Sequence, residues 1–215
     1  MIRVCFLVDG FNLYHSTREA QRDLGTSTKW LNIKQMLYNY HPHYTSVAGE
    51  KVRLGEVYYF SAYAHHRTAI DPGVVGRHQS LINCLVDTGI HVKMHQFKQK
   101  AAVCPSCKHK WFNHEEKETD VAISVKLVEI FVESDCNMAV ILSGDTDIAP
   151  AVRSVNKIFS KNRVIFAFPY RRKNKMLEQL APGSFKIKSS AYKFNQFSDP
   201  YRCKDGTIIH KPTSW

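Results

Sequence analysis

Met138-Ala139-Val140-Ile141-Leu142-Ser143-Gly144-Asp145-Thr146-Asp147 runs five consecutive apolar residues into a short polar turn that carries two carboxylates. A strand with one wet face alternates, whereas a strand covered on both faces is apolar throughout, so residues 138–142 are expected inside a parallel sheet. Residues 2–8 are a second apolar, β-branched run and end in Asp9. Val57-Tyr58-Tyr59-Phe60 and Arg163-Val164-Ile165-Phe166-Ala167-Phe168 read as further strands, and Ile90 to His95 alternates as a strand with one wet face.

Helical patterns lie between them. They cover about 11–22, about 29–39 (Trp30, Ile33, Leu37 and Tyr38 at helical spacing), and a stretch from Asp71-Pro72 to about Thr88, stopped by Gly89. His41-Pro42-His43 reads as loop. From Glu116 to about Glu133 apolar residues go nearly all round, which predicts a well-buried helix, and another helix starts near Asp147. Strands alternating with helices predict a three-layer α/β/α sandwich with a mainly parallel sheet. One domain over 2–188 is expected, with a Cys- and His-containing insertion at about 98–115 and a C-terminal extension at 189–215.

The chain has 215 residues with 44% hydrophobic and 23% charged side chains, ordinary globular composition that excludes collagen-like and disordered classes. No apolar run approaches the ~18 residues of a membrane span, and the N-terminal run lacks a signal-peptide cleavage site. The net charge of +11 is one-sided: residues 1–150 hold 16 basic and 16 acidic side chains, residues 151–215 hold 14 and 3. Such an excess points to a polyanion, most often nucleic acid. Scattered cysteines such as Cys5 and Cys136 lie in or near apolar runs and read as small core hydrophobes of a reducing compartment, the cytoplasm.

Asp9 follows the strand at 2–8, and Asp145 and Asp147 follow the strand at 138–142. Ligands of open parallel sheets bind at the carboxyl ends of the strands, and these two strands are expected to be neighbours. Asp120, near the start of the helix from 116, supplies another acid. Singly, each acid is explained equally well by helix capping or by the helix dipole. Gathered in one crevice they would repel unless a cation neutralised them, and an oxygen-only set suits Mg²⁺ or Mn²⁺. A Gly-x-Gly-x-x-Gly fingerprint, a P-loop and a Gly-x-Ser-x-Gly elbow are all missing, and Asp9 lacks a second Asp two residues on. Metal-assisted phosphodiester hydrolysis is what remains.

Three segments together resemble the signatures of the NYN domain family, in the family's order: Val8-Asp9-Gly10-Phe11-Asn12-Leu13-Tyr14, Glu116-Lys117-Glu118-Thr119-Asp120-Val121-Ala122, and Ser143-Gly144-Asp145-Thr146-Asp147-Ile148-Ala149-Pro150. The resemblance spans about 2–188 and implies a PIN-like, Rossmannoid fold. It also implies a Mg²⁺- or Mn²⁺-dependent ribonuclease with Asp9, Asp120, Asp145 and Asp147 around the metal. By the same resemblance Asn12 would orient Asp9 or touch the scissile phosphate, Ser143 would hold Asp145 or a water, and Glu116 matches a family acid. An RNA-binding adaptor that does not cleave and a nucleotide phosphohydrolase are the rival readings.

Arg171-Arg172-Lys173-Asn174-Lys175 follows the strand at 163–168. Arg171, Arg172, Lys173 and Lys175 are expected to grip RNA phosphates beside the acids. Tyr58, Tyr59, Tyr63, His65 and His66 are read as part core, part base-stacking cluster. Cys104-Pro-Ser-Cys107 is half of a zinc knuckle, with His109 and His114 following. Structural Zn²⁺ there and a surface hairpin with two free thiols are both open.

Overall fold

The structure, a computed structural model, describes residues 1–133, 136–159 and 163–215. Its centre is β1 (Ile2–Asp9), flanked by β2 (Val52–Ala62) on one side and β5 (Met138–Leu142) on the other, both parallel to it. Outward from β2 lie β3 (His91–Val103), parallel, and β4 (Lys110–Lys117), antiparallel to β3. Outward from β5 lie β6 (Arg163–Phe168) and β7 (Ser184–Lys186), both parallel. The order β4-β3-β2-β1-β5-β6-β7 makes a seven-stranded, mainly parallel sheet, as the alternating pattern predicts.

Side chains of the central strands divide by twos between two cores. Val4, Phe6 and Val8 point to one face and Cys5 and Leu7 to the other; Met138, Val140 and Leu142 part from Ala139 and Ile141 in the same way. The first core is covered by α1 (Gly10–Leu24), α2 (Ile33–Asn39), α3 (His41–Ala48) and α4 (Val74–Asp87), the second by α5 (Thr119–Val132), α6 (Ala149–Ile158) and α7 (Lys175–Leu180). Each fully buried Val, Leu, Ile or Phe contributes ~1.5–3 kcal/mol, so these continuous runs hold the three layers together. Among the described residues no helix is long and apolar enough to cross a membrane.

Several expectations shift. The helix expected from 29 starts only at Ile33, where the Asn32 side chain accepts the Gln35 N–H at 3.0 Å; Trp30 is buried before it and Leu31 bridges to Gln196. His41-Pro42-His43 is not loop but the first turn of α3, where proline's missing N–H has no helical partner to lose. Asp71 does not cap α4, which begins at Val74; its carboxylate pairs with Arg77 instead. Residues 98–115 form most of the β3–β4 hairpin, and β4 extends through Glu116 and Lys117, so α5 starts at Thr119. Nor is α5 buried all round: Val121, Val125 and Val132 face solvent.

The C-terminal residues pack on the first core. In α8 (Ser189–Phe194) the buried Tyr192 hydroxyl bonds Ser16 Oγ at 2.8 Å and accepts the Tyr170 N–H at 3.1 Å. Phe197 packs edge-on to Trp30, and a small hairpin of β8 (Tyr201–Arg202) and β9 (Ile208–Ile209) follows.

Candidate acidic site and its neighbouring cavity

At the carboxyl ends of β1 and β5 the chain leaves in opposite directions, which opens a crevice where parallel sheets bind ligands. Asp9 ends β1 and caps α1, accepting the Asn12 N–H at 2.9 Å. Its other oxygen accepts from Ser143 Oγ at 2.7 Å, and that hydroxyl accepts the Asp145 N–H at 3.0 Å. Asn12 Oδ1 accepts the Gly144 N–H at 3.2 Å, which ties the first motif to the third across the crevice. Asp145 also caps a single 3-10 turn, accepting the Asp147 N–H at 3.1 Å, and Asp147 is exposed. Capping and clustering are thus not alternatives here; Asp9 and Asp145 do both.

Asp120 and Glu116 join from the other side. Glu116, at the end of β4, accepts from Thr119 Oγ1 at 2.6 Å, and Asp120 sits in the first turn of α5. Burial is the largest cause of raised carboxyl pKa values at this site, and the acids add to it through one another. Asp9 is shifted up by burial and by Asp145, against the hydrogen bonds from Asn12 and Ser143. Glu116 rises to about 7, with Asp9 and Asp120 contributing, and Asp120 rises to about 6, with Asp145, Asp9 and Asp147 contributing. The charges that raise Glu116 and Asp120, those of Asp9, Asp120, Asp145 and Asp147, are all of their own sign.

This donor set fits a hard divalent cation: oxygen only, largely buried, mutually repelling and, among the described residues, without an ion-pair partner. Among the described residues no three His, Cys, Asp or Glu side chains close on a common point. Cys104 and Cys107 lie at the β3–β4 turn with free thiols, and the same statement holds there. Glu116 matches a family acid by its motif position, but the helical pattern around it hides its place at a strand end.

The expected phosphate grip is already engaged. Arg171 pairs with Asp23 at 3.1 Å, Arg172 with Glu19 and Lys173 with Glu178, while Lys175 is exposed. The Arg172 backbone passes so close to Gly144 that a Cβ there would collide with its carbonyl oxygen. The cluster therefore does border the crevice, on a loop held by Tyr192.

A cavity of about 460 Å³ opens on the other side of the first turn of α1. Gly10, Tyr59 and Ser61 form its floor, and Phe11, Tyr14, Arg18, Lys29, Arg67 and Arg77 contribute to its walls. Of the tyrosine and histidine cluster at the end of β2, Tyr59 is core, Tyr63 packs on His78, and His66 faces the cavity.

No curated protein matches the chain. A crystal structure of a Vibrio parahaemolyticus protein of unknown function shares the fold, with a TM-score of 0.54 at 20% identity over 87% of this chain and 93% of that one. The NYN domain profile matches residues 3–186, which contain all three acidic motifs, so the chain belongs to the NYN domain family, whose members are generally ribonucleases.

Proposed function

We propose that this protein is a metal-dependent ribonuclease that hydrolyses RNA phosphodiester bonds at the crevice between β1 and β5. The observation that carries this reading is the gathering of Asp9, Glu116 and Asp120, each raised in pKa by burial and by neighbouring carboxylates that include Asp145 and Asp147, with no ion pair to relieve them among the described residues. A protein that only bound RNA would gain nothing from carboxylates where phosphates must lie. Asp9, Asp120, Asp145 and Asp147 would hold Mg²⁺ or Mn²⁺. When bound, such an ion neutralises charge on the phosphate oxygens and activates a water for attack.

The chain's own residues position and discriminate. Ser143 fixes Asp9 through its hydroxyl proton while taking the Asp145 N–H, so one side chain sets the separation of two acids. Asn12 holds Gly144 through Oδ1, which leaves its NH₂ to face a phosphate oxygen. Arg171, Arg172 and Lys173 would contact the RNA backbone beyond the acids by exchanging their acidic partners for phosphates, and the exposed Lys175 would join them directly. Replacing Arg171, Arg172 and Lys173 with Ala should weaken RNA binding about equally for all sequences and flatten the log K against log salt slope by up to ~2 units. An unchanged slope would remove these residues from the interface.

The test of the function is incubation of labelled RNA and, separately, a nucleoside monophosphate with the protein and Mn²⁺ or EDTA. RNA cleavage in Mn²⁺ alone is expected. Phosphate release from the mononucleotide with intact RNA would turn the reading to a phosphohydrolase.

The raised carboxyls also make stability depend on pH. A carboxyl with a folded pKa above its unfolded one binds more protons when folded, so its ionisation lowers stability as pH rises from the unfolded to the folded value. For Glu116 and Asp120 that window runs from about 4 to about 7. In EDTA, Tm should fall by a few °C between pH 5 and pH 8, on the order of 1–2 kcal/mol after screening. Mn²⁺ should restore it at pH 8 and do little at pH 5, where protons occupy the same oxygens. A Tm that Mn²⁺ leaves unmoved at pH 8 would count against a cation at these acids.

A further inference from the structure

We propose that the cavity beside the acids is a subsite for one unstacked nucleotide of a single-stranded RNA, its base among the rings of Phe11, Tyr14 and Phe97 and its phosphate among Arg18, Lys29 and Arg77. The choice of RNA as the ligand rests on the ribonuclease reading; the site itself rests on its own geometry. Its volume, about 460 Å³, lies in the ~300–1,000 Å³ range of ligand sites.

The first turn of α1 faces both ways. Asn12 reaches across the crevice to Gly144, while Phe11, its neighbour, packs edge-on to Phe97 at 5.9 Å on the cavity side. Gly10 in the cavity floor follows Asp9 directly, so a strand with a phosphate at the acids reaches the cavity with its adjacent nucleotide. Phe11 and Tyr14 are each 41% exposed, large aromatic surfaces turned to solvent rather than into a core. His66 stacks on His114 with ring centroids 4.3 Å apart and tilts against Phe97 at 4.7 Å. Exposed ring faces such as those of Phe11 and Tyr14 are what an unpaired base uses, a surface to lie on.

The cations are arranged for an anion. Asp71 is the acid in the wall, and Arg77 already holds it. Arg18 lies 5.8 Å from the Tyr14 ring centroid, so a cation and a stacking face occur together. Lys29 is pushed below its ordinary pKa by burial and then by Arg18 and Arg77, a repulsion that a phosphate would reverse. A duplex cannot present an unstacked base, which restricts the subsite to single strands.

The test measures binding in EDTA, where metal-assisted cleavage is off. The probes are a fluorescein-labelled RNA hexanucleotide of mixed sequence, the same strand paired to its complement, and the four nucleoside 5′-monophosphates. Tyr14→Ala and Phe97→Ala should each weaken hexanucleotide binding about tenfold, the effect of losing one stacked base. Arg18→Ala and Lys29→Ala should each flatten the salt slope by ~0.7. Tyr14 is exposed, so its variant should keep the parent Tm and stay informative if Phe97→Ala does not fold. Parent affinity in all four variants, equal competition by the duplex, or a mononucleotide that binds as tightly as the strand would each overturn the proposal. A protein that binds this way but fails to cut RNA in Mn²⁺ keeps the subsite and loses the ribonuclease. One that cuts while every variant binds like the parent keeps the ribonuclease and loses the subsite.

Discussion

Asp9→Asn should reduce Mn²⁺-dependent RNA cleavage by about 10²-fold or more while leaving Tm equal to or above that of the parent protein. The two halves of this expectation come from different properties of one carboxylate. As a cap of α1, Asp9 needs one oxygen to accept the Asn12 N–H, and Asn serves that role as well as Asp does. Towards Ser143 the new NH₂ can donate, because a hydroxyl accepts as readily as it donates. The fold keeps the cap of α1, and the Ser143 hydroxyl proton, which donates to Asp9 in the parent, is the group that loses its acceptor. What goes is a buried charge that raises Glu116 and Asp120, so the metal-free protein is relieved. The function loses a charged oxygen ligand that no neighbour replaces. Cleavage at the parent rate would remove Asp9 from the reaction, and a fall in Tm of several °C would mean that activity was lost through unfolding instead. Asp145→Asn should behave alike in the assay.

The pattern of the sequence carried the sheet because burial on two faces writes itself locally, as in Met138–Leu142. It also put Asp9 and Asp145 at the strand ends, since a residue just after such a strand has little freedom in where it goes, while Ser143 came from the family motif. Glu116 was harder. Glu115-Glu116-Lys117-Glu118 reads as the acidic first turn of a helix, and only pairing with Gln96 and Phe97 on β3 makes Glu116 and Lys117 strand. Such pairing leaves no periodic trace in the segment itself. Charge was legible only as a total. The whole excess lies after residue 150, yet Arg171, Arg172 and Lys173 each face an acid in the fold. The cationic cavity is built from Arg18, Lys29, Arg67 and Arg77, all within the part of the chain whose net charge is zero. Segment totals do not see this, because folding sorts charges by position in space. The hold of Tyr192 on Ser16 and Tyr170 is equally silent, a contact across 176 residues without a local signature.

Gly10→Ala should lower Tm by ~4–10 °C and impair cleavage about 10²-fold, although the residue added is an excellent helix former. By propensity alone the change should stabilise α1, since Ala is favoured over Gly in a helix. Space decides otherwise. A Cβ at Gly10 would lie 2.6 Å from the Phe60 carbonyl oxygen and 2.6 Å from the Tyr59 ring and hydroxyl. The Phe60 carbonyl belongs to β2, registered against Asp9 in the centre of the sheet, and cannot retreat. Tyr59 is buried and equally confined. The start of α1 must therefore lift away from the sheet, and it carries the Asn12 N–H that holds Asp9 and the Asn12 oxygen that holds Gly144. A displacement of ~1 Å at such a joint is enough to spoil catalytic geometry. Gly76→Ala supplies the comparison, because Gly76 lies in α4, its Cβ would meet nothing within 4 Å, and its φ is not positive. That variant should be unchanged or more stable by ~0.4–1 kcal/mol, with full activity. Parent-like Tm and cleavage in Gly10→Ala would show that α1 does not need this close approach to the sheet, and the tie from Asp9 through Asn12 to Gly144 would then not be what positions the acids.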